Sequence, residues 1–192
     1  MIIIITGTNR PGSNTRKVTT HVEKAYQVLG VPTQVLDLAD LPPELFLPSA
    51  YEKSPPTFKK FIDAILAADG LVVVTPEYNG SIPGVLKYFI DMLPFPASFE
   101  QRPVCFIGLA AGLWGAMRPV EQLQQIFAYR HGIVFPERVY LPGVNNLVDE
   151  NGTLRGVTEN NLLQQADKFT RFVEKLREKK FPRILELTGP MA

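Results

Sequence analysis

Apolar positions along this chain fall into two alternating patterns. Ile2-Ile3-Ile4-Ile5, Leu71-Val72-Val73-Val74-Thr75 and Val104-Cys105-Phe106-Ile107-Gly108-Leu109 are nearly continuous apolar runs, the pattern of buried strands. Elsewhere apolar residues recur three or four apart: Val18, Val22, Ala25 and Leu29; Phe58, Phe61, Ile62, Ile65 and Leu66; Met117, Val120, Leu123 and Phe127; Leu162, Ala166, Phe169, Val173 and Leu176. That spacing predicts helices with one buried face. Thr33 to Leu38 alternates and predicts a less buried second strand, and Ile133 to Leu141 predicts a fifth. Five β-α repeats of this kind, without an internal linker, predict an α/β fold: one parallel sheet with helices on both faces. A single domain over residues 1–180 is expected, with 181–192 as a tail.

Local signals set some boundaries. Ser13 or Asn14 caps the first helix and Gly30 stops it. Prolines at 42, 43, 48, 55 and 56 argue against regular structure between Ala39 and Pro56, so this long connection covers a neighbour or carries function. Val85 to Leu93 is apolar almost all round and needs burial on two sides. One side faces the sheet; the other is expected against a second subunit, the alternative being cover by the proline-rich connection.

Composition narrows the partners. A formal net charge of +1 over 192 residues, without a basic run, gives no field for nucleic acid or an anionic membrane. Cys105, the single cysteine, has no disulfide partner and is followed by aliphatic residues rather than an anion-binding arginine loop, so it is expected as a small buried hydrophobe. The apolar run at the start is short for a signal peptide and no segment has the length of a membrane span, from which a cytoplasmic location is expected. His21 and His131 fit packing and helix-end roles, and no metal site is expected.

The chemistry lies in the loops that follow the strands. After the first comes Thr6-Gly7-Thr8-Asn9-Arg10-Pro11-Gly12-Ser13-Asn14-Thr15, and after the third Pro76-Glu77-Tyr78-Asn79-Gly80-Ser81-Ile82-Pro83-Gly84. In the strand order 2-1-3-4-5 the winding reverses between strands 1 and 3, which is where open α/β sheets bind ligands. Hydroxyls of Thr8, Ser13 and Thr15, the Arg10 guanidinium, Asn14 and a helix N-terminus make a phosphate site. Gly7 and Gly12 have the spacing of an ATP-binding loop, but Ser13 and Asn14 stand where its lysine and hydroxyl belong; the dinucleotide fingerprint also lacks its second glycine. A single phosphomonoester remains.

Gly7-Thr8-Asn9-Arg10-Pro11-Gly12-Ser13-Asn14 resembles the phosphate loop of the NADPH-dependent FMN reductase family, and Pro76 to Lys87 is similar to that family's most specific signature. The resemblance covers the chain from the first strand to the fourth helix. It implies a flavodoxin-like three-layer sandwich with a five-stranded parallel sheet, order 2-1-3-4-5. It implies FMN as cofactor and NADPH or NADH as donor, with a quinone, azo compound, metal oxyanion or flavin as small-molecule acceptor. Thr8, Arg10, Ser13, Asn14 and Thr15 would hold the FMN phosphate. Pro76, Glu77, Tyr78, Asn79, Gly80 and Ser81 would line the isoalloxazine, with an amide near Asn79 or Gly80 at its N5 region, and Ala111 and Gly112 would meet the pyrimidine edge. The family often has a serine before that glycine, where this chain has Ala110-Ala111; Trp114 either stacks there or shapes the pocket. FMN carries the difficult step, so no side chain is expected to be catalytic. Family members commonly form dimers or tetramers, and a homodimer or homotetramer is expected. Two other readings share the fold: a flavodoxin-type electron carrier, though such carriers are strongly acidic and this chain has a pI near 7.8, and a non-catalytic flavin-binding interaction protein.

Overall fold

The computed structural model of the chain describes residues 1–149, 151–154 and 158–178. The three continuous apolar runs are strands β1 (Ile2–Thr6), β3 (Gly70–Pro76) and β4 (Pro103–Leu109), buried along their whole length. The alternating segment is β2 (Thr33–Asp37), a half-buried edge strand. All neighbours pair in parallel in the order β2-β1-β3-β4, so the reversal of winding falls between β1 and β3 as expected.

The fifth position departs from expectation. Instead of one strand from 133 to 141, β5 (Ile133–Val134) pairs with Pro103 and Val104, and β6 (Val139–Leu141) pairs with Ile107 to Leu109. The break has a packing cause. Phe135 turns into the core, its ring centroid 5.4 Å from that of Phe169 and 5.2 Å from that of Phe172. Pro136, next in line, has no N–H to give the ladder.

Because successive residues of a strand face opposite sides, each central strand feeds two cores. Ile2, Ile4, Val72, Val74, Cys105 and Ile107 pack against α1 (Asn14–Val28) and the long helix Thr158–Glu178, while Ile3, Ile5, Leu71, Val73, Val104 and Phe106 pack against α2 (Lys59–Ala67), α3 (Gly84–Asp91) and α4 (Met117–Tyr129). A single turn of helix, α5 (Val144–Leu147), precedes the long one, which is α6. The helical faces agree with the spacing except that Leu66 is exposed. The expected tail, 181–192, lies outside the described residues.

The proline-rich connection forms short 3-10 turns, at Leu38–Asp40, Pro43–Phe46, Pro48–Tyr51 and Pro56–Phe58. They lie over α3. Leu41, Leu45 and Phe58 join Leu86, Phe89 and Ile90 in one core, the Tyr88 hydroxyl donates to the Leu45 carbonyl at 2.8 Å, and the Phe46 ring sits 5.1 Å from that of Tyr88. This connection therefore covers part of the apolar helix, while Val85 and Met92 stay half-buried.

Three side chains singled out in the sequence have structural surroundings. Cys105 is fully buried and burial pushes its thiol pKa far up, which leaves no thiolate to act as a nucleophile. His21 lies 2.7 Å from the Gly152 carbonyl through Nε2 and 2.9 Å from Glu159 through Nδ1, joining α1 to α6 and the turn before it. His131 takes the left-handed conformation, φ 63°, that ends α4.

Candidate functional site

The loops after β1, β3, β4 and β6 meet at the carboxyl end of the sheet. Gly7 brings the first of them in close: its N–H donates to the Val74 carbonyl at 2.8 Å, and a Cβ there would come within 2.7 Å of the same oxygen. Thr8 then turns inward. Its hydroxyl hydrogen bonds with that of Tyr78 at 2.8 Å and accepts the Arg10 N–H at 3.3 Å, so the first and third loops are tied together beneath the cavity. Gly12 reverses the chain at φ 64°, and Ser13 caps α1, its Oγ accepting the Arg16 N–H at 3.2 Å. The remaining first-turn amides have no intrahelical acceptor, and together with the positive end of the helix dipole they attract an anion.

The third loop is held as firmly. Tyr78 and Ser81 exchange two backbone hydrogen bonds of 3.0 Å around Asn79 and Gly80, whose φ values of 52° and 75° suit an Asn-Gly hairpin turn. The Glu77 N–H donates to the Leu109 carbonyl at 3.3 Å, and the Glu77 carboxylate pairs with Arg118 of α4 at 3.1 Å. On the far side the Ala110 N–H donates to Leu141 at 3.2 Å and the Val144 N–H to Ala110 at 3.0 Å, which sets α5 against the fourth loop.

Together these loops enclose a cavity of about 520 Å³, lined by Arg10 to Thr15, Pro76 to Tyr78, Leu109 to Ala111, Val144 and Asn145. Of the residues expected at the site, Arg10, Ser13, Asn14, Thr15, Pro76, Glu77, Tyr78 and Ala111 are on its wall. Thr8 is buried behind it, and Asn79, Gly80, Ser81 and Gly112 are outside the lining set. Trp114 is 57% exposed and also outside that set.

Sequence reasoning missed Val144 and Asn145. Asn145 is tied to Asn14, whose Nδ2 donates to its Oδ1 at 2.9 Å. The signal available was Pro142-Gly143, a breaker directly after the last strand and therefore at the ligand end of the sheet.

The wall fits FMN. Its volume is within the range of small-molecule sites, hydroxyls and amides gather at one end, and Glu77, the only acid among the described lining residues, is already paired. No group of three or more His, Cys, Asp or Glu that could hold a metal occurs among the described residues, and no helix among them is long and apolar enough to cross a membrane.

A helix N-terminus flanked by hydroxyls after β1 and the loop after β3, on either side of the winding reversal, are the layout of the flavodoxin-like proteins. The chain belongs to the NADPH-dependent FMN reductase family, whose model matches residues 1–146. It is 33% identical over 141 residues to an NAD(P)H-dependent FMN reductase of Pseudomonas aeruginosa, covering 71% of this chain and 75% of that protein. It is also 29% identical over 180 residues to a quinone reductase of Pseudomonas putida, covering 90% and 94%. Among solved structures, the flavoenzyme NAD(P)H:(acceptor) oxidoreductase of Paracoccus denitrificans superposes with a TM-score of 0.76 at 24% identity, covering 91% of this chain and 97% of that one, which is a likeness of fold. The chain is thus an enzyme of the NAD(P)H-dependent, FMN-using kind.

Proposed function

We propose that this chain passes reducing equivalents from NADPH or NADH, through FMN, to a small-molecule acceptor such as a quinone or an azo compound, donor and acceptor using the same open site in turn. The observation that carries this reading is the convergence of the capped N-terminus of α1 and of Pro76 to Tyr78, at the start of the third loop, on one cavity. FMN, when bound, supplies the redox chemistry, accepting a hydride from the nicotinamide and handing the electron pair on. The protein's residues bind and orient. Arg10, the hydroxyls of Ser13 and Thr15, Asn14 and the amides at the start of α1 hold the phosphate. Pro76, Glu77, Tyr78 and Ala111 form the wall for the ring, and Asn79, Gly80, Ser81 and Gly112, in the loops just beyond that wall, would meet its edge. Thr8 acts from behind through Tyr78. No side chain on the wall is required as a general base or a nucleophile, and none is assigned.

The acceptor class rests on similarity to relatives named quinone reductase and NADPH azoreductase. Residues 1–180 make one domain in this reading, working in the cytoplasm as a homodimer or homotetramer. Half-buried Val85 on α3 and Met92 at its end, with Phe46 and Tyr51 exposed in the proline-rich connection, support association there. Light scattering at micromolar concentration tests it, and a stable, active monomer would count against it.

The deciding experiment is the visible spectrum of the purified protein incubated with FMN, before and after anaerobic NADPH and then NADH. A bound flavin that bleaches on donor addition supports the reductase and ranks the donors. A bound flavin that stays oxidised favours an electron carrier, and absence of binding leaves the fold alone.

A further inference from the structure

Gln122 lies on α4, outside the cavity wall, yet its Oε1 accepts two hydrogen bonds from the third loop: the Ser81 hydroxyl at 2.8 Å and the Ile82 N–H at 3.3 Å. Arg118, four residues earlier and so on the same face of the helix, holds the Glu77 carboxylate at 3.1 Å. One face of α4 thus grips the loop on both sides of the Asn79-Gly80 turn. The turn's own pairing uses the N–H groups of Tyr78 and Ser81 and leaves those of Asn79 and Gly80 outside it.

We infer that Gln122 is a positioning residue for FMN reduction, holding this turn so that its amides stay fixed against the flavin edge; the inference rests on the proposed FMN site. The physical argument is preorganisation. Reduction adds electron density to the flavin, and fixed N–H donors stabilise the electron-rich form more than the oxidised one without having to reorganise as the charge arrives. Without Gln122 the turn keeps its own two backbone hydrogen bonds and the Glu77–Arg118 pair before it but loses its hold after Gly80, and a donor that moves stabilises less. Gln122 suits the task because one side-chain oxygen can accept from a hydroxyl and an amide together.

The test compares wild type with Gln122→Leu, Ser81→Ala and the double variant. Each is loaded with FMN, and its dissociation constants for oxidised and reduced FMN are obtained from fluorescence titration and the flavin midpoint potential. Gln122→Leu leaves the phosphate cradle intact, so affinity for oxidised FMN changes by less than about threefold. Preference for the reduced form falls by about tenfold, which for a two-electron couple lowers the midpoint by about 30 mV. Ser81→Ala gives a smaller shift in the same direction. In the double variant the shift equals that of Gln122→Leu alone, because both changes remove the same link. A purely structural Gln122 would lower thermal stability and leave the potential in place. An unchanged potential in Gln122→Leu, or shifts that simply add, would overturn the inference while leaving FMN binding and bleaching by NADPH untouched. Failure of the wild type to bind FMN would overturn the proposed function and this inference with it. If Gln122→Leu does not fold, Ser81→Ala decides, and an unshifted potential there counts against the link.

Discussion

Two cavities of similar size lie at opposite ends of this sheet, and only one has the makings of a ligand site. At the carboxyl end, about 520 Å³ is bounded by hydroxyls, a helix N-terminus and an exposed arginine. At the amino end, about 440 Å³ is bounded by Met1, Asp69, Asp167, Arg171, Glu174 and Arg177 among others. The second is richer in charge, but most of its charges are spent on one another. Asp69 pairs with the Met1 amino group and with Arg177 at 3.4 Å, and Arg171 pairs with Asp167 at 2.6 Å. The first keeps amides that no helical carbonyl can reach. Volume does not distinguish the two ends. The geometry of a helix start does: α1 begins at the carboxyl end, and Ser13, Asn14 and Thr15 at its positive end line the first cavity.

The strongest way to break this contrast is at Gly7, where the first loop leaves the sheet. Gly7→Ala forces a Cβ to within 2.7 Å of a backbone oxygen that cannot give way, and overpacking of this kind costs about 1–3 kcal/mol. Urea unfolding is expected to show the loss, with FMN binding weakened in parallel as β1 and β3 separate. Unchanged stability would mean that the close approach is dispensable.

Arg10→Ala leaves the scaffold intact and attacks the ligand contact alone. Loss of one charge-assisted hydrogen bond lowers FMN affinity by about 10- to 100-fold. Equal affinity by fluorescence titration would move the phosphate away from this loop.

Ser13→Ala removes the cap of α1, which costs about 1 kcal/mol of stability. It should also weaken FMN binding, since the same hydroxyl is on the cavity wall. A denaturation midpoint matching that of wild type would show that the cap hydrogen bond is replaced by water.

The smallest expected effect comes from the other end. Asp69→Asn breaks two partly exposed ion pairs, and such pairs contribute under about 1 kcal/mol. FMN affinity should be unaltered. A clear drop in affinity from this substitution would couple the two ends of the sheet and undo the contrast between them.

Much of the fold could be read along the chain because it depends on local periodicity. The unbroken apolar runs at Ile2, Leu71 and Val104 became fully buried strands, and the spacing of Val18, Val22 and Ala25 became one face of a helix. Eight of the thirteen residues expected at the site are on one wall, because each belongs to a loop that follows a strand of known place in the order. The misses share a different origin. Nothing near Thr8 in sequence predicts that its hydroxyl turns from the cavity to Tyr78, 70 residues on. Asn145 meets Asn14 across 131 residues, and Gln122 meets Ser81 across 41. The fifth strand split because Phe135 had a place between strand and α6 that only the packed structure provides.

By itself, then, the sequence determined the alternation of strand and helix, and the end of the sheet at which the loop after the first strand meets a cavity. Each is written in neighbouring residues. Tertiary structure decided which hydroxyls face the cavity, which acid is neutralised by an arginine, and which side chain of α4 steadies the turn. Those outcomes depend on groups far apart in the chain, whose distances are set only once both cores are packed against the sheet.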